Sequence, residues 1–263
     1  MTAVQDRSRI ALVRPPGPHL ADGLVTHIDR RPVDLGLAIS QWERYVDTLA
    51  DEGWEIVDVP GADDCPDAVF VEDTVVMYRN VAVITRPGAD SRKPEVLAIE
   101  KVIDALGVSI NRIRPPGTLD GGDVLKVDDV VYVGRGGRTD AEGARQLRAI
   151  LEPLGASVVE VPLTTVLHLK SAVTALPDGR VVGYEPLVDD PRAFHRFLPV
   201  PEESGAHVVL LGGNRLLMAA DAPLTAKRYS DLGYHPVTVD ISEFQKLEGC
   251  VTCLSVRIRQ LIS

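Results

Sequence analysis

A short pattern recurs along the chain and limits the possible fold more than any other feature. Two runs rich in β-branched residues are followed by a helix and then by a further strand. In the clearest copy the two runs are Asp123–Val127 and Val130–Gly134. The helix then begins at Thr139, with Glu142 three residues later as a capping box, and Ser157–Val161 is the last strand. The pattern predicts one ββαβ unit.

Other copies follow at a spacing of about fifty residues, which is typical of a repeat architecture. A second copy has strands at Val69–Tyr78 and Val81–Arg86, a helix at Pro94–Leu106 and a strand at Ser109–Ile113. Two weaker copies are Ala172–Leu176 with Arg180–Tyr184, and His207–Leu211 with Arg215–Ala219, a helix at Ala222–Leu232 and a strand at Pro236–Asp240.

A fifth unit needs segments from both ends of the chain. Cys250–Arg259 is a β-branched run with no helix after it, whereas Arg9–Arg14 is a lone strand followed by a helix at Val33–Glu52 and a strand at Glu55–Val59. Repeats that cannot bury their faces alone form a solenoid or a ring, and pairing of the last strand with the first favours the ring. We expect a single domain over residues 1–263, an α/β propeller of five ββαβ units with pseudo-fivefold symmetry. A doubly wound sheet would leave the paired strands before each helix unexplained.

Composition excludes several classes of protein. The chain is 45% hydrophobic and 25% charged, as in ordinary globular proteins. No stretch approaches the ~20 apolar residues of a membrane span, and Met1–Arg9 lacks the apolar core of a signal peptide. Three cysteines are too few for a disulfide framework, so we expect a cytoplasmic protein. The net charge of −10 disfavours nucleic acid and anionic membranes as partners, whereas a homodimer is compatible with the sequence.

The pair Cys250 and Cys253 forms a C-x-x-C motif, which occurs in redox and zinc sites. In a strand, residues i and i+3 point to opposite faces and lie roughly 10 Å apart, too far for a disulfide. A zinc site would need further paired ligands, and Cys65 and the scattered histidines do not provide them. We therefore interpret Cys65 and Cys250 as small buried apolar side chains and Cys253 as a candidate nucleophile.

A thiol nucleophile needs a base and a pocket for its electrophile, and polar residues at strand positions could supply both. His168 lies opposite Leu167 and Leu169 in an alternating run. Glu72 and Asp73 interrupt an apolar run, where two buried carboxylates would require a compensating cation such as a guanidinium. Two further groups have structural interpretations as well: Asp120 and Asp123 suit a turn, and Arg138 suits a solvated surface or a carboxylate partner.

Taken together, these motifs resemble the dimethylarginine dimethylaminohydrolase family in order and spacing. The resemblance covers nearly the whole chain and implies the pentein fold, in agreement with the five-unit ring. It is carried by the segments Asp67–Thr74, Ile84–Arg92, Gly117–Asp123, Arg138–Ala144, His168–Lys170 and Thr252–Cys253.

The resemblance also implies a role for each matching residue. It implies Cys253 as the nucleophile, His168 as the proton donor and acceptor, and Asp120 as the carboxylate that orients the histidine. The implied substrate-binding residues are Asp67, Glu72 and Asp73 at the guanidinium and amino ends, Arg92 and Arg138 at the carboxylate, and Leu24 and Leu247 from mobile loops.

The activity implied by the resemblance is hydrolysis of dimethylarginine or monomethylarginine to citrulline and an alkylamine. The substrate is a small molecule, and the scheme uses no metal and no organic cofactor. Two alternatives belong to the same fold: another guanidino-modifying hydrolase, acting on arginine or hydroxyarginine, and a non-enzymatic binding protein of the ribosome anti-association type. The latter would not need a cysteine, a histidine and carboxylates together.

Overall fold

Five small sheets of three strands each make up the structure, a computed structural model that describes residues 9–259. Most of the segment Met1–Arg9, interpreted above as lacking a signal-peptide core, lies outside the described residues. In each sheet the first and second strands are antiparallel, and the second and third are parallel. This is the strand arrangement that a ββαβ unit produces.

The strands are β1 (Ile10–Val13), β2 (Glu55–Asp58), β3 (Val75–Tyr78), β4 (Val81–Ile84), β5 (Ser109–Arg112), β6 (Val124–Val127), β7 (Val130–Arg135), β8 (Ser157–Pro162), β9 (Val173–Ala175), β10 (Val181–Gly183), β11 (Phe197–Pro199), β12 (Val209–Gly212), β13 (Arg215–Ala219), β14 (His235–Val239) and β15 (Val256–Ile258). The helices are α1 (Leu35–Asp51), α2 (Val96–Ala105), α3 (Ala141–Leu151), α4 (Leu169–Ala172), α5 (Pro223–Asp231) and α6 (Ser242–Gln245).

The five sheets correspond to the five units that the repeat pattern predicts. Their strand orders are β15-β1-β2, β3-β4-β5, β6-β7-β8, β9-β10-β11 and β12-β13-β14. The first of them joins the two ends of the chain, with Ile10 opposite Ile258. The β9-β10-β11 unit crosses over through the short 3₁₀ turns Glu185–Leu187 and Pro191–Ala193 in place of a long helix.

The apolar core is divided among the joints between neighbouring units. Tyr45 and Leu49 of α1 pack with Val209 and Leu217 of the β12-β13-β14 unit. Each of four further clusters of buried side chains joins another pair of neighbouring units in the same way. The five clusters together connect all five units in a closed ring. Because each helix covers its own sheet and an adjacent one, the units close into a ring. The predicted five-bladed α/β propeller is confirmed.

Four local predictions are wrong, and each concerns a segment that precedes a strand or a helix. The N-cap of α3 is Asp140 rather than Thr139, since Asp140 accepts a hydrogen bond from Gly143. Three segments predicted as strands begin as turns: a 3₁₀ turn over Val71–Thr74, an irregular stretch that ends with His168 as N-cap of α4, and a turn over residues 251–254. In all three segments, buried apolar residues lie in a turn or an irregular stretch instead of a strand.

The first strand of each unit lines a central cavity of about 650 Å³. These strands are β3, β6, β9, β12 and β15, and the segments that precede four of them meet at one end of the cavity. The propeller therefore brings residues distant in sequence together at that end. Within the described part of the chain, no helix combines the length and the apolar character needed to cross a membrane.

Candidate active site

A second, smaller cavity of about 10 Å³ lies among the segments that precede the inner strands. Asp73 lies two residues before β3, His168 immediately before α4, and Cys253 three residues before β15. The cavity is lined by Leu24, Asp67, Phe70, Asp73, Arg92, Arg138, Leu167, His168, Leu247, Glu248, Gly249 and Cys253. It thus collects most of the residues that the sequence singled out.

His168 is held in place by carboxylates on both sides of its ring. Its Nε2 lies 3.0 Å from Oδ2 of Asp120, and its Nδ1 lies 3.8 Å from Oδ1 of Asp73. Gly122 makes this close arrangement possible, because a Cβ there would lie 2.7 Å from Nδ1 of His168 and 2.6 Å from Oδ1 of Asp73. With Nε2 occupied by Asp120, Nδ1 is the nitrogen free to exchange a proton in the cavity.

The charge around His168 favours its protonated form. Burial alone would lower its pKa, but the carboxylates of Asp73 and Asp123 and the hydrogen bond with Asp120 raise the pKa to about 9. Asp123 accepts hydrogen bonds from the backbone of Leu169 (3.0 Å) and from the hydroxyl of Thr139 (2.6 Å). Burial nevertheless raises the pKa of Asp123 to about 6. At neutral pH the site therefore holds an imidazolium ready to donate a proton.

Asp73 and Arg92 form a buried ion pair behind the cavity. Arg92 Nη1 donates to Asp73 Oδ2 at 2.6 Å, and the rest of its guanidinium donates to Glu95 and to the carbonyls of Asp67 and Phe70. Burial would raise the pKa of Asp73, but His168 and Arg92 outweigh it and lower that pKa. Asp73 is thus a fixed negative charge in the wall, and most of the hydrogen-bonding capacity of Arg92 is used within the protein.

Glu72 does not point into the small cavity. Its Oε1 accepts from Lys170 Nζ at 2.6 Å and from Arg257 Nη2 at 2.9 Å, on the side of the large central cavity. The cation that this buried carboxylate requires is therefore supplied by the protein itself. The structure brings Asp67 and Asp73 together at the cavity and leaves the Glu72 carboxylate outside it.

Cys253 has an unexpected neighbour, the sulfur of Cys250. The two Sγ atoms lie 3.3 Å apart, because residues 250–253 form a turn in which Cys253 N donates to Cys250 O. The expectation that the two side chains lie on opposite faces of a strand is wrong. Cys250 itself, burial, and the carboxylates of Glu72 and Asp73 all raise the pKa of Cys253. Cys253 therefore rests as a thiol.

Arg138 and Asp67 lie at the cavity with capacity for a ligand. Nη1 of Arg138 is buried, makes no hydrogen bond within residues 9–259 and lies 3.7 Å from Asp120 Oδ2. Asp67 accepts the backbone N–H of Leu24 at 3.0 Å, and burial raises the pKa of its carboxyl. An unbonded guanidinium nitrogen in a closed pocket is suited to receive a carboxylate.

Two loops close the cavity from outside. The first, residues 20–30, is called the strap here and contributes Leu24; the second contributes Leu247 and Glu248. The carboxylate of Glu248 accepts the backbone N–H groups of Thr26 and His27, the latter at 2.9 Å. A space of about 10 Å³ holds no more than one water, so the structure is a closed form of the site.

Asp73, Asp120 and His168 could in principle hold a metal ion, since their ligand atoms lie within 4.8 Å of one another. A histidine with a pKa of about 9 is protonated at neutral pH and would have to lose that proton before binding a metal. The carboxylates also accept the N–H groups of Gly122 and Gly88. The two carboxylates are accordingly better suited to holding a protonated His168 than to binding a metal ion together with it.

Sequence reasoning missed three features of the site. Cys250 was interpreted as an inert side chain although its motif was recognised, because the local structure was predicted as a strand. Glu248 carried no signal, since a single glutamate in a polar loop resembles any surface residue. Thr139 links Asp120 and Asp123 by accepting from Asp120 N at 3.2 Å and donating to Asp123. Its local pattern suggested a helix cap.

Known proteins resemble the chain over almost its whole length. No protein-family model matches the sequence. The N(G),N(G)-dimethylarginine dimethylaminohydrolase of Streptomyces coelicolor is 66% identical and covers 97% of this chain and 98% of its own length. The enzyme of the same name from Pseudomonas aeruginosa is 38% identical, covering 94% of this chain and 98% of its own.

Solved structures agree with these sequence relatives. A cysteine-to-serine mutant of the Pseudomonas aeruginosa enzyme in complex with citrulline superposes with a TM-score of 0.87 at 36% identity, over 94% of this chain and 98% of its own. The N-terminal domain of ArgZ, an arginine dihydrolase, has a TM-score of 0.86 at 17% identity over 98% and 100% of the two chains, which indicates a shared fold alone. By sequence identity over nearly its full length, the chain belongs to the dimethylarginine dimethylaminohydrolase family.

Proposed function

We propose that the chain hydrolyses Nω,Nω-dimethyl-L-arginine and Nω-monomethyl-L-arginine to L-citrulline and dimethylamine or methylamine. The observation that carries this proposal is the convergence of Cys253 and His168 on one small cavity with acidic walls. The two relatives named above, at 66% and 38% identity, bear the name of this activity. One solved relative holds citrulline.

The walls of the cavity complement a methylated arginine along its length. Asp73 is a fixed anion beside His168, which suits the cationic guanidinium end. Arg138 suits the carboxylate at the other end, Asp67 suits an N–H-bearing group, and Leu24 and Leu247 contact the apolar part. Arg92 contributes by holding Asp73 in place, and we assign no direct substrate contact to the Glu72 carboxylate.

The first chemical step is attack of Cys253 on the central guanidinium carbon. The cation of the substrate lowers the energy of the thiolate, so that the thiol proton passes to water and the sulfur forms a C–S bond. The C–N bond to the methylated nitrogen breaks, and His168 transfers a proton from Nδ1 to that nitrogen. Dimethylamine or methylamine leaves, and a thiouronium remains attached to Cys253.

The second step reverses the role of His168. The neutral imidazole takes a proton from a water molecule, which attacks the thiouronium carbon. The C–S bond breaks, Cys253 leaves as a thiolate, the proton that remains on the new oxygen passes through water back to the sulfur, and citrulline is released. Asp120 keeps the ring oriented in both steps through its contact with Nε2. Every proton and electron pair is carried by residues of the chain, the substrate and water.

An assay of citrulline distinguishes this activity from its alternatives. Purified enzyme is incubated separately with dimethylarginine, monomethylarginine, hydroxyarginine and arginine, and citrulline and released amine are measured. We expect kcat/KM to be highest for the two methylated arginines and absent in Cys253→Ser. Equal or higher turnover of arginine or hydroxyarginine would assign the chain to another guanidino-modifying hydrolase. No turnover of any of the four would favour a binding protein.

We further propose that the chain acts as one catalytic domain in the cytoplasm, on a small molecule and without nucleic acid or membrane partners. The acidic net charge of −10 and the content of three cysteines support this assignment. A homodimer is also proposed; sedimentation at micromolar concentration would test it.

A further inference from the structure

The C-x-x-C motif holds two free thiols within reach of each other. Cys250 Sγ and Cys253 Sγ lie 3.3 Å apart, and both side chains are buried. The hydrogen bond from Cys253 N to Cys250 O (3.1 Å) closes a four-residue turn. The Cα atoms across such a turn lie within about 7 Å, which overlaps the range found in disulfides. A bond of ~2.05 Å between the sulfurs requires only a small rotation of the two side chains.

Only one of these sulfurs faces the small cavity. Cys253 lines it, whereas Cys250 lies behind it, with Thr252 Oγ1 at 3.2 Å from its sulfur. The remaining cysteine, Cys65, is buried elsewhere, near Glu95 and Arg14, and burial raises its pKa. A cavity of about 10 Å³ admits a molecule the size of water. Hydrogen peroxide is closer to that size than a bulky disulfide oxidant is.

We propose that Cys250 and Cys253 form a reversible oxidation site, at which hydrogen peroxide produces a disulfide and a dithiol reductant restores both thiols. The modification goes beyond the proposed function, but its effect on activity rests on that function because Cys253 is the proposed nucleophile. A disulfide withdraws this sulfur from the guanidinium carbon. Cys250 thereby receives a role that its burial alone would not suggest.

The chemistry balances in two steps. The sulfur of Cys253 attacks one oxygen of the peroxide, the O–O bond breaks, and a sulfenic acid and one water are formed. The sulfur of Cys250 then attacks the sulfenic sulfur, the S–O bond breaks, and a second water leaves with the Cys250 proton. The two thiols are oxidised by two electrons and the peroxide is reduced by two. A dithiol reverses the change by thiol–disulfide exchange and becomes a disulfide itself.

The position of Cys250 also limits further oxidation. A sulfenic acid without a nearby thiol reacts with more peroxide and becomes a sulfinic acid, which dithiols do not reduce. In this structure the second thiol is already in contact with the first. The disulfide therefore forms in place of the irreversible product.

The test compares the wild type with Cys250→Ser, Cys253→Ser and Cys65→Ser. Each protein is treated with hydrogen peroxide, denatured, alkylated and measured by intact mass and peptide mapping. In the wild type and in Cys65→Ser we expect loss of two hydrogen atoms, a link between residues 250 and 253, and return of activity with dithiothreitol. In Cys250→Ser we expect a gain of two oxygen atoms at Cys253. Dithiothreitol should not restore the activity that this variant had before the peroxide treatment. In Cys253→Ser we expect no disulfide.

Two results would overturn the proposal: addition of oxygen at Cys253 in the wild type as in Cys250→Ser, or a disulfide that involves Cys65. The mass measurement does not depend on the substrate. A wild-type disulfide between residues 250 and 253 without dimethylarginine hydrolysis would therefore contradict the proposed function and leave the oxidation site standing. Hydrolysis of dimethylarginine without this disulfide would contradict the oxidation site and leave the proposed function standing.

Discussion

His168 is a cation because of where it is held, between Asp120 and Asp73 with Asp123 nearby. Its pKa of about 9 lies above the ordinary value of about 6.5, so the ring stays protonated through neutral pH. Replacing Asp120 by Asn removes a negative neighbour and must lower that pKa. We expect the His168 signal to titrate near pH 9 in the wild type and at lower pH in Asp120→Asn.

Nuclear magnetic resonance of ¹³C-labelled histidine measures this midpoint, with the signal assigned by its loss in a His168 variant. We also expect kcat of Asp120→Asn to fall by about 10²-fold or more, the range that positioned acid–base groups contribute. A wild-type midpoint near 6.5 would contradict the electrostatic account of the site.

Cys253 is a thiol at rest, because Cys250, burial and the carboxylates of Glu72 and Asp73 disfavour the thiolate. A bound guanidinium adds a positive charge beside the sulfur. At about 4 Å and an effective dielectric constant of about 20, the attraction is about 4 kcal/mol. We expect a non-reacting amidinium ligand to increase the ultraviolet absorbance of thiolate at neutral pH. The same increase in Cys253→Ser, or none in the wild type, would count against activation by substrate.

Arg92 and Arg138 look alike in the sequence but differ in what they contact. Arg92 is paired with Asp73 and Glu95, whereas Nη1 of Arg138 lacks a hydrogen bond among residues 9–259. We expect Arg138→Gln to raise KM by about 10- to 100-fold, since a lost charged hydrogen bond costs about 1.5–3 kcal/mol. We expect little change in its melting temperature.

The matched variant Arg92→Gln should behave in the opposite way. It leaves two buried carboxylates without their cation, and breaking such a pair costs about 3–5 kcal/mol of unfolding free energy. Denaturant unfolding and steady-state kinetics of both variants provide the comparison. A stable Arg92→Gln with only a raised KM would show that Arg92 binds substrate directly.

Among the structural elements, the strap over the active site is held by carboxylates from two other segments. One is Asp67, which accepts the N–H of Leu24; the other is Glu248. Glu248 accepts the N–H groups of Thr26 and His27. Its own backbone has a φ of +60°, which is uncommon for a residue other than glycine. Since the cavity has no room for substrate in this closed form, the strap must open in each catalytic cycle. We expect Glu248→Gln to weaken the closed form and to speed amide hydrogen exchange at Thr26 and His27.

Asp29→Asn is the control for this variant. Like Glu248→Gln it removes one negative charge, but from an exposed carboxylate within the strap that makes no described hydrogen bond. Its exchange rates should match those of the wild type. Equal protection in Glu248→Gln and the wild type would mean that other contacts close the strap.

The sequence indicates the long elements of the fold better than the turns that carry the chemistry. The second strands and helices α1, α2, α3 and α5 are predictable because apolar periodicity and turn residues mark them. The segments before β3, α4 and β15 were predicted as strands, since apolar and β-branched residues dominate there. They bend because their polar side chains gather at the end of the central cavity, a contact between distant units that local patterns do not contain.

The positions that line the site were predictable from the family motifs, but the direction of each side chain was not. Glu72 and Asp73 are neighbours, yet one faces Lys170 and Arg257 and the other faces His168. The distance of 3.3 Å between the sulfurs of Cys250 and Cys253 likewise depends on a turn that the strand prediction excluded.

At the scale of the whole molecule, the ring is closed by the pairing of β15 with β1, not by a covalent link. Ile258 lies opposite Ile10, and Val256 and Ile258 are buried with Leu12 of β1. Arg257, between them, also donates to Glu72. The joint therefore contributes to the core and supports the segment before β3. Any of the five units could in principle be the one that contains the chain ends.

A circular permutant tests this conclusion directly. The ends are joined through residues 260–263 and 1–8, and new ends are opened between Gly213 and Asn214, which are exposed in the turn between β12 and β13. Because β15 and β1 are already adjacent, we expect one cooperative thermal transition within about 4 °C of the wild type, the shift that ~1 kcal/mol produces in a chain of this size.

The contrasting variant ends at Ser255 and lacks β15. It should lose cooperative unfolding, because β1 loses its antiparallel neighbour and Glu72 loses Arg257. Calorimetry of both proteins decides the matter: a permutant that unfolds in separate steps, or a truncated chain that melts like the wild type, would mean that the ring does not depend on this joint.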